Sequence, residues 1–148
     1  MNYRHAAIAF LLFISTLSMT EDRKHIVDDP QSTLPFSEGV LVGDTLYIAG
    51  HIGFEPKSGK VPASVEDEAR NVMNAIKKTV EDAGMTMDDL VIVQVSCPDL
   101  SLYDTFNKVY RTYFRAPYPA RAFLGSGKLL RAAHFEVLGI AVRRTKSK

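Results

Sequence analysis

The 148-residue chain has a single cysteine, no tryptophan and a formal charge of only +1. A lone thiol, Cys97, excludes an internal disulfide framework, and the chain has no CxxC, HExxH or paired Cys/His spacing from which to build a zinc site. No metal or cofactor is implied. The near-balance of charge leaves no electrostatic footprint for nucleic acid or an acidic membrane. The one locally basic run, Arg143, Arg144, Lys146 and Lys148, reads as a solvated terminus. Low-complexity tracts and internal repeats are missing as well. What remains, 46% hydrophobic and 24% charged residues, is the composition of a folded globular protein, and the length suits one domain.

The one long apolar run lies at the start. Arg4 and His5 precede Ala6–Leu17, small residues follow, and then comes the charged run Glu21, Asp22, Arg23, Lys24. This is the three-part layout of a secretory signal peptide, too short to span a bilayer comfortably as a permanent helix. Residues 1–20 are expected to be a leader cleaved near Ser18–Thr20, making the protein exported, periplasmic or secreted, with no stable membrane association. The cleavage site lacks the usual alanines, so a retained anchor, or a cytoplasmic protein with a misassigned start, is the alternative. Removing Arg4 with the leader leaves 17 basic against 17 acidic residues.

Residues 21–34 are polar, carry Pro30 and read as an extended lead-in, with structure beginning after Pro35. Gly43-Asp44 between two β-prone runs predicts a hairpin ending at Gly50. Phe54–Pro62 is a loop by its prolines and glycine. Ser64, three residues before Asp67, is a candidate N-cap. Ala69, Val72, Met73, Ile76, Val80 and Ala83 then recur at helical spacing up to Gly84. Leu90–Cys97 reads as a strand, and Ser101 with Asp104 as the cap of a second helix bearing Phe106, Val109, Tyr110 and Tyr113. Prolines at 117 and 119 end that helix and deliver Ala120–Leu124 as a short strand. A glycine loop leads to a last strand, roughly Ala132–Val142. The expected fold is a single α+β domain over residues 35–144, with helices on one face of the sheet and a basic tail at 145–148.

Two residues stand out chemically. Glu136 is the only acid of a last strand that is apolar on both sides, and an unpaired carboxylate in such surroundings needs a cationic partner or a catalytic use. An edge-strand glutamate reaching solvent is the equal alternative. Arg121 follows two prolines at a strand entrance, where a stiffened guanidinium fork suits bidentate grip of a carboxylate. A pair with a surface acid is the simpler reading. Gly125-Ser126-Gly127-Lys128 imitates a phosphate loop, but leucine follows the lysine and Ala122 occupies the place of the first glycine, so a loop between strands is expected. His51 and His134 lack partners at nucleophile or metal spacing and stay outside the catalytic set.

Phe36-Ser37-Glu38-Gly39, the hairpin end Ile48-Ala49-Gly50-His51-Ile52-Gly53, Tyr118-Pro119-Ala120-Arg121 and Glu136 together resemble the RidA/YjgF family of imine deaminases, over roughly Thr33 to Arg144. The resemblance implies a chorismate-mutase-like fold and a homotrimer whose sheets close into a central barrel with pockets between subunits. It further implies that Arg121 binds the carboxylate of a 2-imino acid and that Glu136 positions the attacking water. Phe36, Ala49, Gly50 and Phe123 would line the substrate. Three positions depart from the deaminase pattern: Phe36 stands for a tyrosine, Ala49 for a serine and Phe123 for a cysteine. Each change removes a polar group, which leaves the short-chain substrates 2-iminobutanoate and 2-iminopropanoate open. Two other functions compete with hydrolysis of imines to 2-keto acids and ammonia. One is a trimeric module that binds a carboxylated metabolite without turnover. The other is the ribonuclease activity claimed for some relatives, which the neutral charge disfavours.

Overall fold

A single six-stranded sheet organises the computed structural model, which describes residues 22–55 and 57–144. The expected leader at 1–20 and tail at 145–148 lie outside the described residues. The strands are β1 (Arg23–Ile26), β2 (Gly39–Val42), β3 (Thr45–Ile52), β4 (Leu90–Cys97), β5 (Ala120–Gly125) and β6 (Glu136–Val142), and the helices are α1 (Val65–Asp82) and α2 (Tyr103–Tyr110). The spatial order is β1-β2-β3-β6-β4-β5. All neighbours are antiparallel except β4 and β5, whose parallel pairing follows from the crossover through α2.

The predicted hairpin forms as expected, with Gly43 and Asp44 as its two-residue loop between the paired Val42 and Thr45. Ser64 caps α1, its side chain accepting from the Asp67 N–H at 3.2 Å. The stripe Ala69, Val72, Met73, Ile76 and Val80 is buried against Leu46, Ile48, Val93, Val95, Val137 and Ala141 of the sheet. Helix α2 adds Phe106 and Tyr110 to the same side, where they meet Phe123, Phe135 and Phe114. The α+β expectation with both helices on one face is therefore what the chain adopts. The opposite face exposes Tyr47, Ile92, Leu138 and Val142, at 37–52% of their full areas.

Three expectations need correction. Structure begins before Pro35, because Arg23–Ile26 pairs with Gly39–Val42 and buries Ile26. The polar composition hid a strand with a single inward residue. The second helix is not capped by Ser101: the Asp99 carboxylate accepts from the Ser101 N–H at 2.9 Å, opening a 3-10 turn at Leu100–Leu102 that leads into α2. The last strand starts at Glu136 rather than near Ala132, since Arg131 and Ala132 hold left-handed φ values of 54° and 57°. The Gly125–Lys128 loop leads only to the 3-10 turn Leu130–Ala132, without the long helix whose N-terminus a phosphate loop requires.

His51 is internal, with a side chain 9% exposed between β3 and α1. Its Nδ1 lies 3.4 Å from Glu38 Oε2 and its Nε2 3.2 Å from Thr79 Oγ1. Burial holds its pKa below the usual 6.5, against the opposing pull of Glu38 and Asp28. A histidine depressed in the folded state stabilises above pH 6.5 and loses that contribution as pH falls below it. The drop in denaturant-measured stability between pH 7.5 and 5.5 should be smaller in His51→Gln than in wild type. Equal drops would refute this account.

Candidate active site

Glu136 opens β6, and β6 is a central strand between β3 and β4, so the edge-strand alternative does not hold. Its neighbours Phe135 and Val137 are fully buried toward the helices, which turns the half-buried Glu136 to the open face. The register with β3 shifts between Ile48 and His51. Ile48 and His51 both face the helices although three residues apart, so an irregularity at Ala49-Gly50 must absorb the extra residue. Its consequence is a close approach: a Cβ built on Gly50 would overlap the Glu136 carboxylate. Gly50 thus leaves room for the Glu136 carboxylate, which a larger residue at position 50 would push aside. Ala49, half-buried, adjoins the same place.

Arg121 sits on β5, paired with Val93 of β4 and facing the helices. Among the described residues it has no carboxylate partner. Its guanidinium carbon lies 4.5 Å from the centre of the Tyr110 ring, 5.6 Å from Tyr103 and 6.0 Å from Phe123. Its Nη2 donates to Tyr103 Oη at 3.5 Å. Stacking of this kind is worth about 0.5–2 kcal/mol and fixes the plane of the fork without consuming its hydrogen-bond donors. Phe123 is itself held by Tyr103, edge to face at 5.1 Å, and by Phe106 at 5.7 Å. Tyr103 and Tyr110, at the two ends of α2, support Arg121 from a separate element, a contact that no local spacing in the sequence signals.

The structure does not bring Arg121 and Glu136 together within one chain. Glu136 pairs with Ser96 and Arg121 with Val93, on either side of β4. Three residues along the strands and two strand spacings across put their Cα atoms roughly 14 Å apart. They also point to opposite faces of the sheet. Phe36 is 54% exposed and lines an open cleft of about 520 Å³ with His25, Val27, Leu34 and Pro35. A second cleft of about 480 Å³ runs along Arg115–Ala120, Met87 and Arg144. Neither cleft includes Arg121 or Glu136. Among the described residues no group of three His, Cys, Asp or Glu gathers as a metal site, and no helix is long and apolar enough to cross a membrane.

Tyr110 Oη is buried and lacks a hydrogen-bond partner among the described residues. Burial pushes its pKa up to about 12, with the Arg121 charge pulling the other way. The ring, not the hydroxyl, supports Arg121. Tyr110→Phe should therefore keep or raise the melting temperature, because an unsatisfied buried hydroxyl costs about 1–3 kcal/mol. A clear drop in the thermal midpoint would mean that the hydroxyl has a partner in the assembled protein.

Comparison with known proteins places this geometry. The family model described as Endoribonuclease L-PSP matches residues 26–143. The mouse protein named 2-iminobutanoate/2-iminopropanoate deaminase is 34% identical over 115 residues, covering 77% of this chain and 85% of the relative. The crystal structure of the Escherichia coli YjgF gene product superimposes with a TM-score of 0.75 at 34% identity, over 82% of this chain and 99% of that one. Escherichia coli TdcF, solved with bound serine, gives a TM-score of 0.75 at 31% identity, over 82% of this chain and 100% of that one. The family model spans nearly all of the described residues, and the chain belongs to the Endoribonuclease L-PSP family, the RidA/YjgF family that its motifs resemble.

Proposed function

We propose that the chain hydrolyses reactive 2-imino acids, and the enamines that tautomerise to them, to 2-keto acids and ammonia, in a pocket formed between copies of the chain in a homotrimer. The observation that carries this reading is an arginine with no carboxylate partner among the described residues, stacked on Tyr110. Such a guanidinium suits a substrate carboxylate, contributing on the order of 1.5–3 kcal/mol per charge-assisted hydrogen bond. Glu136 of a neighbouring copy accepts a hydrogen bond from water and aims its lone pair at the C=N carbon. The carbon–oxygen bond forms as the C=N π pair moves to nitrogen. Proton transfer to that nitrogen and collapse of the carbinolamine expel ammonia and leave the keto acid. Positioned acid/base help of this kind is typically worth about 10²–10⁴-fold. Imines hydrolyse readily in water, so modest acceleration suffices.

The placement of the two residues on opposite faces, roughly 14 Å apart, supports a site composed between copies. The open face, with Tyr47, Ile92 and Leu138, supplies apolar area for association. The names of the relatives support imine chemistry, and the serine bound to TdcF supports a small amino-acid-like ligand. Phe36, Ala49, Gly50 and Phe123 line the substrate in this reading, and their apolar character leaves the length of the accepted side chain to experiment. The protein is further inferred to be exported through removal of residues 1–20. N-terminal sequencing of native protein from fractionated cells should find a start near Glu21; an intact Met1 in a soluble cytoplasmic fraction refutes export.

Imines generated by an amino-acid oxidase from short, branched and aromatic amino acids provide the assay. Arg121→Ala should lose about 10²-fold or more in kcat/KM, and Glu136→Gln should lose a comparable factor chiefly in kcat. Identical rates for wild type and Arg121→Ala across all substrates would defeat the proposal. Ligand-dependent thermal shifts abolished by Arg121→Ala, without any imine hydrolysis, would replace the enzyme by a carboxylate-binding module.

A further inference from the structure

Among the described residues Glu68 is the most deeply buried carboxylate, ahead of Asp89, and it takes no part in the proposed chemistry. It lies in the first turn of α1 and is 0% exposed. A buried carboxylate is tolerated only when its oxygens are satisfied, and all of its hydrogen bonds come from one segment. Oε1 accepts from the His134 N–H at 2.6 Å and from the Phe135 N–H at 3.0 Å. Oε2 accepts from His134 Nδ1 at 2.6 Å. These are the two residues immediately before Glu136.

The surroundings leave this segment little other support. Arg131 and Ala132, just upstream, hold left-handed φ values of 54° and 57°, which non-glycine residues occupy at a cost. Ladder pairing of β6 begins only at Glu136, so the amides of His134 and Phe135 depend on Glu68. The end of β3 is pressed onto the same turn of helix: a Cβ on Gly53 would overlap the Glu68 carbonyl and lie 2.9 Å from its Cγ. Gly50, three residues back along that strand, abuts the Glu136 carboxylate. One turn of α1 thus anchors both the strand that carries Glu136 and the strand that makes room for it.

We infer that Glu68 is a positioning residue for Glu136: its carboxylate, with His134 as outer partner, fixes the start of β6 and so the aim of the Glu136 carboxylate at water. The inference rests on the proposed role of Glu136 in hydrolysis. Glu68 touches no substrate, so its removal should act on the chemical step and spare the grip of Arg121. Glu68→Gln is the conservative control. Its side-chain oxygen can accept both backbone N–H groups, and its amide can donate to the neutral ring nitrogen of His134.

The test compares full-length wild type, Glu68→Ala and Glu68→Gln in the oxidase-coupled assay, with amide hydrogen exchange followed over residues 133–137. Glu68→Ala is expected to lower kcat at least 10-fold with KM within about 2-fold, and to lose protection at His134 and Phe135. Glu68→Gln should restore kcat to within about 3-fold of wild type and keep the protection. An unchanged kcat in Glu68→Ala overturns the inference, as does a Glu68→Gln variant as impaired as Glu68→Ala while still protected at 134 and 135. Should Glu68→Ala fail to fold, the Glu68→Gln comparison and a His134→Ala variant, expected to lower kcat with KM unchanged, decide the matter. An inactive wild type counts against the imine reading itself. In that case unchanged exchange at 134–135 in Glu68→Ala would still refute the anchoring role.

Discussion

Two helices can cover only one face of a six-stranded sheet, and that constraint governs the rest of this molecule. The buried stripe of α1 and the aromatic side of α2 seal the helix-facing side with Leu46, Val95, Phe106 and Phe135. The other side keeps Tyr47, Ile92 and Leu138 exposed. Strand alternation then sorts the chemistry. Arg121, in register with Val93, falls on the covered side at an edge strand, where tyrosine rings hold it. Glu136, one residue from buried Val137, falls on the open side in the middle of the sheet. A chain so divided has each half of a proposed site on a surface that another copy can complete.

Period and punctuation made most of the fold legible. The α1 stripe, its Ser64 cap, the Gly43-Asp44 turn and the strand ended by Pro98 each depend on local chemistry that is written in consecutive residues. The misread places depend on partners distant in sequence. Arg23–Ile26 is a strand because β2 offers it a free edge, which no local pattern announces. Ala132–Phe135 is apolar enough to continue a strand, yet β6 starts only at Glu136, because the left-handed pair at 131–132 and the carboxylate of Glu68 hold the segment otherwise. Arg121 and Glu136 stood out as charges where charges are costly. Glu68 did not, although it shares the stripe of Val72, Ile76 and Thr79, because an acid in a first helical turn reads as a favourable end charge.

The same contrast separates the two kinds of polar group in the core. Glu38, His51 and Thr79 form one internal set between sheet and helix, while Glu68 and His134 form another at the mouth of β6. Each ties a sheet segment to α1. Tyr110 is the exception, a buried hydroxyl without a partner among the described residues, on whose ring Arg121 stacks.

The central claim is that one working site needs Arg121 from one copy and Glu136 from another. Mixed oligomers test it most directly. Arg121→Ala and Glu136→Gln proteins, each inactive alone, are unfolded together, refolded as a mixture, and checked for mixed composition by native mass spectrometry. With random assembly of a cyclic oligomer, activity should return to roughly a quarter of the wild-type value per subunit, because that fraction of interfaces pairs an intact arginine with an intact glutamate. No recovery in demonstrably mixed oligomers would contradict the account.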